Sequence, residues 1–401
     1  MTERIYYTDP ACLEFDATVV SSSAADGRAV VVLDRTAFYP TSGGQPFDTG
    51  TLGTADVIDV VDSDDGAIGH VVSAPIAEGE RVHGRVDGAR RFDHMQQHTG
   101  QHILSAAFDR LHGARTVGFH LGAVLSTVDL DKVLGPEALA AAAAEANRIV
   151  WEDRAVSIRF ATPEEAAAMT FRKEPTRSGP LRVIEVDGFD WSACGGTHVA
   201  RAGQVGIIAL RSWEKFRGGM RLEFLCGGRA LREFGILRDS VAGSLRFLSV
   251  APQDLPSAIE GAQAENKDLR RAIRDLGERL AVHEAAAMVA RARQVGTARV
   301  IVEVLDGWDQ SGLKALASAA SAQPGVVAAL VSAAGPALVV IARAPDVALD
   351  ASAALKALMQ QFGGKGGGKP EMAQGGGLSG TRDELRDALA RIIVASLPPA
   401  P

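Results

Sequence analysis

Two short segments of the sequence carry side chains that commonly bind transition metals. His98 and His102 stand four residues apart, as do Cys194 and His198. If the first segment is helical, its two imidazoles lie one turn apart on the same face and can reach one ion. Two consecutive glycines between Cys194 and His198 disfavour a helix and favour a tight loop. Three imidazoles and one thiolate form a tetrahedral ligand set for Zn²⁺, so the sequence predicts a zinc site at these four residues.

Two roles are open for such an ion. Four protein ligands close a zinc shell, which is typical of structural sites, whereas a catalytic zinc keeps a position for water. The two pairs are separated by about ninety residues rather than by a zinc-finger spacing, which favours an ion that joins two distant segments around a cleft. The sequence does not decide between the two roles.

Two further residues could take part in metal chemistry. His94 lies one helical turn before His98, where it could be another ligand or a proton shuttle, although we predict a supporting structural role. Cys226 is followed by two glycines and has no neighbouring histidine, so we predict a buried core thiol.

Composition limits the class of protein. The 401 residues are 46% hydrophobic and 23% charged, with a net charge of −7, which is typical of a folded protein without a broadly basic surface. Three cysteines argue against a disulfide framework. The N-terminus has no signal-peptide pattern, and Gly335 and Pro336 interrupt the apolar stretch 326–342, which therefore predicts two strands around a turn. We expect a cytoplasmic protein that does not span a membrane.

The elements that must position the candidate ligands predict an α+β fold, and the length predicts two or three domains. Residues 1–90 predict an N-terminal β-barrel, because short apolar runs alternate with Gly, Asp, Ser and Pro clusters. Residues 91–245 predict an α+β domain that contains the zinc ligands, with a helix over 92–111. Residues 253–295 predict a helical spacer, and 296–401 predict a small α/β domain with a Gly-rich loop.

The predicted spacer carries a heptad pattern. Its seam steps by three and four residues for about four repeats and is polar only at Asn266 and His283. The helix could pack against another helix of the same chain, or it could be a coiled-coil spacer or dimer seam. The seam residues are Ile259, Ala262, Asn266, Leu269, Ile273, Leu276, Leu280, His283 and Ala287.

Several motifs together resemble the editing domain of alanyl-tRNA synthetases and the free-standing AlaX editing proteins. The resemblance also extends to the C-terminal domain of those synthetases, through the Gly-rich run and the residues Met372 to Gly376. It covers nearly the whole chain. The segments that carry the editing-domain resemblance are Ser42 to Gln45, Arg91 to Ser105, Gly118 to Gly122 and Cys194 to His198.

The resemblance implies an activity and its partners. It implies Zn²⁺ at the four ligands named above, hydrolysis of Ser-tRNA(Ala) and Gly-tRNA(Ala), and contact between the segment from Thr116 to His120 and the misattached amino acid. The C-terminal domain would hold the body of the tRNA. Because the editing signature begins almost at residue 1, we expect no aminoacylation activity. A homodimer through the helical seam is a further expectation.

The residue that activates water is not identified by any motif. If the ligands close the zinc shell, polar groups such as Thr99, Gln45 or His120 would position the water. A tRNA-binding protein with a purely structural zinc is the main alternative, and editing of threonyl-tRNA is another. A DHH phosphoesterase is disfavoured, because Asp93-His94 is followed by Met95.

The Gly-rich run 363–377 has two interpretations. Its backbone N–H groups could approach phosphates, with Lys365 and Lys369 adding positive charge. Alternatively, the run is a flexible linker. The interspersed lysines favour contact with tRNA.

Overall fold

The computed structural model describes residues 1–25, 27–167, 169, 171–172, 181–332 and 337–398. Its contacts divide the chain into two compact units, Met1–Ser244 and Leu245–Pro401. Both units mix helices with strands, which agrees with the predicted α+β class. The finer division into four segments stays a prediction.

A closed six-stranded barrel occupies the beginning of the first unit, as predicted for residues 1–90. All of its pairings are antiparallel, in the order β2-β3-β7-β6-β5-β8. Side chains alternate between core and solvent, so that in β8 Val82 and Val86 are buried while Arg81 and Arg85 are exposed. The strands of this region are β1 (Glu3–Arg4), β2 (Glu14–Ala25), β3 (Arg28–Leu33), β4 (Arg35–Thr36), β5 (Gly50–Leu52), β6 (Ala55–Asp62), β7 (Ile68–Val72) and β8 (Arg81–Val86), with a 3-10 turn at Ile5–Tyr7.

The helix that follows the barrel, α1 (Gly88–His112), carries the first pair of candidate ligands. It is longer than the predicted 92–111 because residues just outside that range cap both ends. The Asp87 side chain accepts hydrogen bonds from the first backbone N–H groups, and Gly113 ends the helix in the left-handed conformation at φ 56°.

Two sheets complete the first unit, in the orders β14-β15-β10-β9 and β11-β12-β13. Side chains of α1, α2 and both sheets share one apolar core. The elements are β9 (Thr116–Leu121), β10 (Ser126–Leu130), α2 (Pro136–Trp151), β11 (Val156–Ala161), α3 (Pro163–Ala167), β12 (Leu181–Val186), β13 (Asp190–Ala193), a 3-10 turn at Ala202–Val205, β14 (Ile208–Phe216), β15 (Gly219–Cys226) and α4 (Gly227–Leu248).

The second unit is a mixed six-stranded sheet in the order β16-β17-β18-β19-β21-β20, with helices on both faces. Alternate residues of β18 enter two different cores: one contains side chains of α7 and α8, and the other contains side chains of α5 and α6. The elements are α5 (Leu255–Ala290), preceded by a 3-10 turn at Pro252–Asp254, β16 (Arg293–Val295), β17 (Ala298–Leu305), α6 (Gln310–Ser321), β18 (Val326–Ser332), β19 (Ala337–Arg343), α7 (Ala351–Phe362), β20 (Lys365–Gly368), β21 (Met372–Leu378) and α8 (Arg382–Ser396).

The apolar stretch 326–342 forms the two predicted strands, β18 and β19, which pair antiparallel. The predicted turn at Gly335 and Pro336 lies outside the described residues. Among the helices that the structure describes, none is both long enough and apolar enough to cross a membrane.

The prediction that the Gly-rich run is a loop was wrong. Most of it forms the antiparallel hairpin β20–β21 at the edge of the sheet. Glycine is required there because the two backbones approach closely: a Cβ on Gly366 would lie 2.5 Å from the carbonyl oxygen of Gln374. The glycines therefore serve backbone proximity rather than flexibility.

The predicted spacer helix exists as α5, but most of its heptad seam is uncovered. Leu269, Ile273, Leu276 and Leu280 are 51–69% exposed. The part of α5 that packs against α6 uses a different set of residues near its end: Ala281, Ala285, Met288 and Val289.

Candidate metal centre

The four predicted ligands come together in the first unit. His98 and His102 extend from α1, while Cys194 and His198 lie in the loop that follows β13, and one donor atom of each lies within 4.8 Å of the others. The Sγ atom of Cys194 is 3.3 Å from Nε2 of His98 and 3.4 Å from Nε2 of His198. In a tetrahedral zinc site, ordinary bond lengths put nitrogen and sulfur ligands roughly 3.5 Å apart. The donor set therefore fits one small tetrahedral ion.

A barrel side chain holds the imidazole of His98. Oε1 of Gln45 lies 2.8 Å from Nδ1 of His98 and accepts a hydrogen bond from the Thr197 backbone N–H. The Gln45 amide nitrogen donates to the Thr197 hydroxyl at 2.8 Å. Gln45 is fully buried, so the loop at Ser42–Gln45 reaches the metal centre through this one side chain.

The other two imidazoles also have a polar side chain near Nδ1. The hydroxyl of Thr99 lies 3.1 Å from Nδ1 of His198, and it accepts a hydrogen bond from the backbone N–H of Val199. Nδ1 of His102 lies 3.5 Å from a carboxylate oxygen of Asp190. Side chains that hold the far nitrogen of a ligating histidine fix its orientation and tautomer.

Electrostatics favour the ligand forms of Cys194 and His198. Burial opposes ionisation of the Cys194 thiol, but interactions with the neighbouring imidazoles of His98, His198 and His102 outweigh it, so its pKa lies well below the ordinary value. Burial and the charge of His98 lower the pKa of His198 well below its ordinary value. Burial also lowers the pKa of His102, but the neighbouring Asp190 and Cys194 outweigh it and raise the pKa to about 9. Metal binding would therefore release a proton from His102.

A cleft of about 650 Å³ opens beside this centre. His102 and Cys194 lie on its inner wall, and Phe160 and Val117 form exposed parts of its rim. This is the size of a small-molecule site. The segment predicted to contact the amino acid supplies Thr116, Val117, Gly118 and Phe119 to the lining.

The three residues predicted to position water lie away from the cleft wall. Gln45 and Thr99 are buried behind the ligands that they hold, and His120 is exposed on β9. None of the three is among the residues that line the cleft in the described part of the chain. Their role in positioning water stays a prediction.

The remaining candidates lie apart from the four-ligand group. His94 is 2% exposed, and burial and the charge of Arg90 lower its pKa to about 4. Cys226 is fully buried, which confirms the predicted core thiol. Lys365 and Lys369 are exposed on the Gly-rich hairpin of the second unit.

Two charged residues of the site were not predicted from the sequence. Asp190 faces His102 and pairs with Arg172 at 3.2 Å. Arg182 is a buried cation in strand β12, which also carries Glu185, and it donates to the carbonyl oxygens of Cys194 and Gly196. Arg182 could have been found from the sequence as a charged residue in a predicted strand shortly before the loop that supplies two of the ligands.

Comparisons with known families match three parts of the chain. The family described as the threonyl and alanyl tRNA synthetase second additional domain matches residues 181–222. The family described as class II (A) tRNA synthetases matches residues 5–90, and the DHHA1 domain matches residues 297–395.

Several known proteins are similar over longer spans. The alanine–tRNA ligase of Methanoregula boonei is 33% identical over 94% of this chain, and that of Natronomonas pharaonis is 34% identical over 99% of it. This chain spans only 42% and 44% of the lengths of these two ligases, respectively. The solved structure of the C-Ala domain from Aquifex aeolicus alanyl-tRNA synthetase aligns with 26% of this chain and with 97% of its own chain, at 22% identity. The TM-score of 0.24 is too low for a structural inference. The alanyl-tRNA editing protein AlaX-L of Pyrococcus horikoshii is 32% identical over 94% of both sequences. On this near full-length similarity, the chain belongs to the AlaX-L family of alanyl-tRNA editing proteins.

Proposed function

We propose that this protein is a zinc-containing deacylase that hydrolyses Ser-tRNA(Ala) and Gly-tRNA(Ala) and does not aminoacylate tRNA. The convergence of four metal donors beside a cleft of about 650 Å³ carries the proposal. AlaX-L of Pyrococcus horikoshii, which matches this chain over 94% of both sequences, is an editing protein by name. Within the proposal, His98, His102, Cys194 and His198 hold the zinc.

Zinc bound by these residues supplies positive charge beside the cleft and ties α1 to the loop after β13. The protein side chains then orient the substrate. Gln101 and Thr116 line the cleft and offer polar groups to the serine hydroxyl, a contact that alanine cannot make. Sites built to bind a hydroxyl can discriminate by up to about 10⁴–10⁵-fold against the analogue that lacks it. Glycine has no such hydroxyl, so the cleft would accept a glycyl group because of its small size.

A tRNA-binding protein with a purely structural zinc is the second candidate. The observation in its favour is that four protein ligands are available, which is enough to close the shell. In that case the protein would bind tRNA(Ala) without deacylating it.

A panel of tRNA(Ala) charged with serine, glycine or alanine tests the proposal. We expect the wild type to release serine and glycine and to spare alanine, and Cys194→Ala to lose both zinc and activity. Release of no amino acid, with tRNA still bound, would support the second candidate. An ATP-dependent charging assay should show no alanylation.

We further propose a homodimer through the uncovered seam of α5. Leu269 and Ile273 are 56% and 69% exposed, and a second copy of the same heptad face would cover them. Mass measurement by light scattering should give a dimer for the wild type and a monomer for the double variant Leu269→Lys and Ile273→Lys. A wild-type monomer at all concentrations would reject this.

A further inference from the structure

Four side chains on the cleft wall each keep one polar atom without a hydrogen-bond partner among the described residues. They are Tyr6 at Oη, Gln101 at Oε1, His102 at Nδ1 and Arg182 at Nη2. All four residues are more than nine-tenths buried. Arg182 differs from the other three because its side chain stays charged and can only donate, so its missing partner must be an acceptor.

The other nitrogens of the Arg182 guanidinium are fixed. Nε donates to the carbonyl oxygen of Tyr7 at 2.9 Å, and Nη1 donates to those of Cys194 at 2.6 Å and Gly196 at 2.9 Å. The guanidinium is therefore held against the loop that supplies two of the candidate ligands. Its remaining donor is oriented in advance by these bonds.

Among the residues that the structure describes, Arg182 also lacks a carboxylate partner. Arg172, which lines the same cleft, pairs with Asp190 at 3.2 Å. Across the described ranges, no carboxylate lies within 4.0 Å of the Arg182 side-chain nitrogens. A buried cation that no carboxylate neutralises is costly to retain, and it binds most strongly to a group that gains negative charge inside the cleft.

We propose that Nη2 of Arg182 stabilises the negative charge that develops on the ester carbonyl oxygen during deacylation. This rests on the proposed deacylase function. Water adds to the carbonyl carbon, the carbonyl electron pair moves to the oxygen, and Arg182 donates a hydrogen bond to that oxyanion. When the oxyanion collapses, the bond to the ribose oxygen breaks, and a proton that came from the water ends on that ribose oxygen. The products are the free amino acid and tRNA with its hydroxyl restored.

A purely structural role for Arg182 would act through the loop that it holds. Loss of that role would lower zinc content and weaken substrate binding. A catalytic role instead lowers the rate of the chemical step while zinc content and ground-state binding stay constant. The two roles therefore differ in measurements other than activity.

The test compares Arg182→Ala and Arg182→Lys with the wild type in single-turnover hydrolysis of Ser-tRNA(Ala). Zinc content is measured on each protein, as is the affinity for a seryl-amide analogue of the terminal adenosine, which cannot be hydrolysed. We expect Arg182→Ala to lower the rate by about 10²–10³-fold, with zinc content and analogue affinity within about threefold of wild type. Added guanidinium ion should restore part of the rate.

Arg159→Ala is the matched control. Arg159 lies on β11 beside β12, pairs with Glu185 at 3.0 Å, and does not line the cleft. Its removal should leave the rate unchanged, with or without guanidinium.

Two outcomes would overturn the inference without touching the proposed function. One is an Arg182→Ala enzyme that keeps the wild-type rate. The other is a loss of rate that matches its loss of zinc and is not restored by guanidinium. A wild-type protein that hydrolyses no mischarged tRNA would instead reject the proposed function itself.

Discussion

Gln45 determines which nitrogen of His98 can bind a metal. Oε1 of Gln45 accepts from the Thr197 backbone N–H at 3.1 Å and lies 2.8 Å from Nδ1 of His98. A backbone N–H can only donate, so the Gln45 atom that it meets must be the oxygen. Nδ1 of His98 therefore carries the proton, and the lone pair of Nε2 is directed toward Cys194. A residue of the N-terminal barrel thus sets the tautomer of a ligand on α1.

We expect Gln45→Ala to weaken metal binding. Without the amide oxygen, the His98 tautomer and orientation are no longer fixed, and zinc affinity should fall by about 10–100-fold. Competition with a zinc chelator measures this. Ser42→Ala is the control, because Ser42 is in the same loop and its hydroxyl makes no hydrogen bond to the ligands among the described residues. Equal affinity in Gln45→Ala and wild type would contradict the assignment.

The sequence could predict the ligands but not what holds them. His98 and His102 share a helical face because an α-helix repeats every 3.6 residues, and this spacing can be recognised in a short stretch of the sequence. Gln45 and Arg182 reach the centre through tertiary contacts, and no local pattern encodes a partner that is distant along the chain. The Gly-rich hairpin was missed for a related reason: glycine favours loops in isolation, whereas here it permits two strands to approach closely.

Gly100 in the middle of α1 should resist replacement by alanine. Alanine favours a helix over glycine by up to about 1 kcal/mol. A Cβ at Gly100, however, would lie 2.3 Å from Sγ of Cys226 and 3.3 Å from Val205. Overpacking of this kind costs about 1–3 kcal/mol, so Gly100→Ala should be destabilising and lower Tm by roughly 2–4 °C for each kcal/mol of net loss.

Two variants separate overpacking from helix propensity. Adding Cys226→Ala removes the clashing sulfur, so the double variant should be more stable than the sum of the single effects predicts. On α4, Gly235 has no atom near its Cβ position, and Gly235→Ala should raise Tm instead. A Gly100→Ala protein as stable as Gly235→Ala would contradict the predicted clash.

The exposed lysines of the Gly-rich hairpin should contribute to tRNA affinity. The double variant Lys365→Ala and Lys369→Ala should bind tRNA(Ala) more weakly, and the slope of log affinity against log salt should become shallower by roughly two. Lys314→Ala with Lys356→Ala is the control, because it removes the same charge from exposed helical positions of the same unit. An equal loss in both double variants would attribute the effect to net charge rather than to the hairpin.

The barrel should lose stability as the pH falls from 6.5 toward 4. His70 on β7 is fully buried, with Nε2 2.8 Å from the Thr36 hydroxyl and Nδ1 3.2 Å from the Val31 carbonyl oxygen. Burial lowers its pKa from 6.5 to about 4. Above pH 6.5 the imidazole is neutral in both the folded and the unfolded chain. Below pH 6.5 only the unfolded chain gains the proton, so stability falls, by about 2 kcal/mol at pH 5 for this one group.

Hydrogen exchange of peptides that cover β3 and β7, corrected for intrinsic exchange rates, reads the opening free energy of the barrel at pH 7 and pH 5. His70→Gln keeps a donor and an acceptor but does not titrate. It should therefore shrink the difference between the two pH values by about 2 kcal/mol. His83→Gln, at a half-exposed position on β8, should keep the wild-type difference. If His70→Gln is as acid-sensitive as the wild type, the neutral buried imidazole is not the source of the effect.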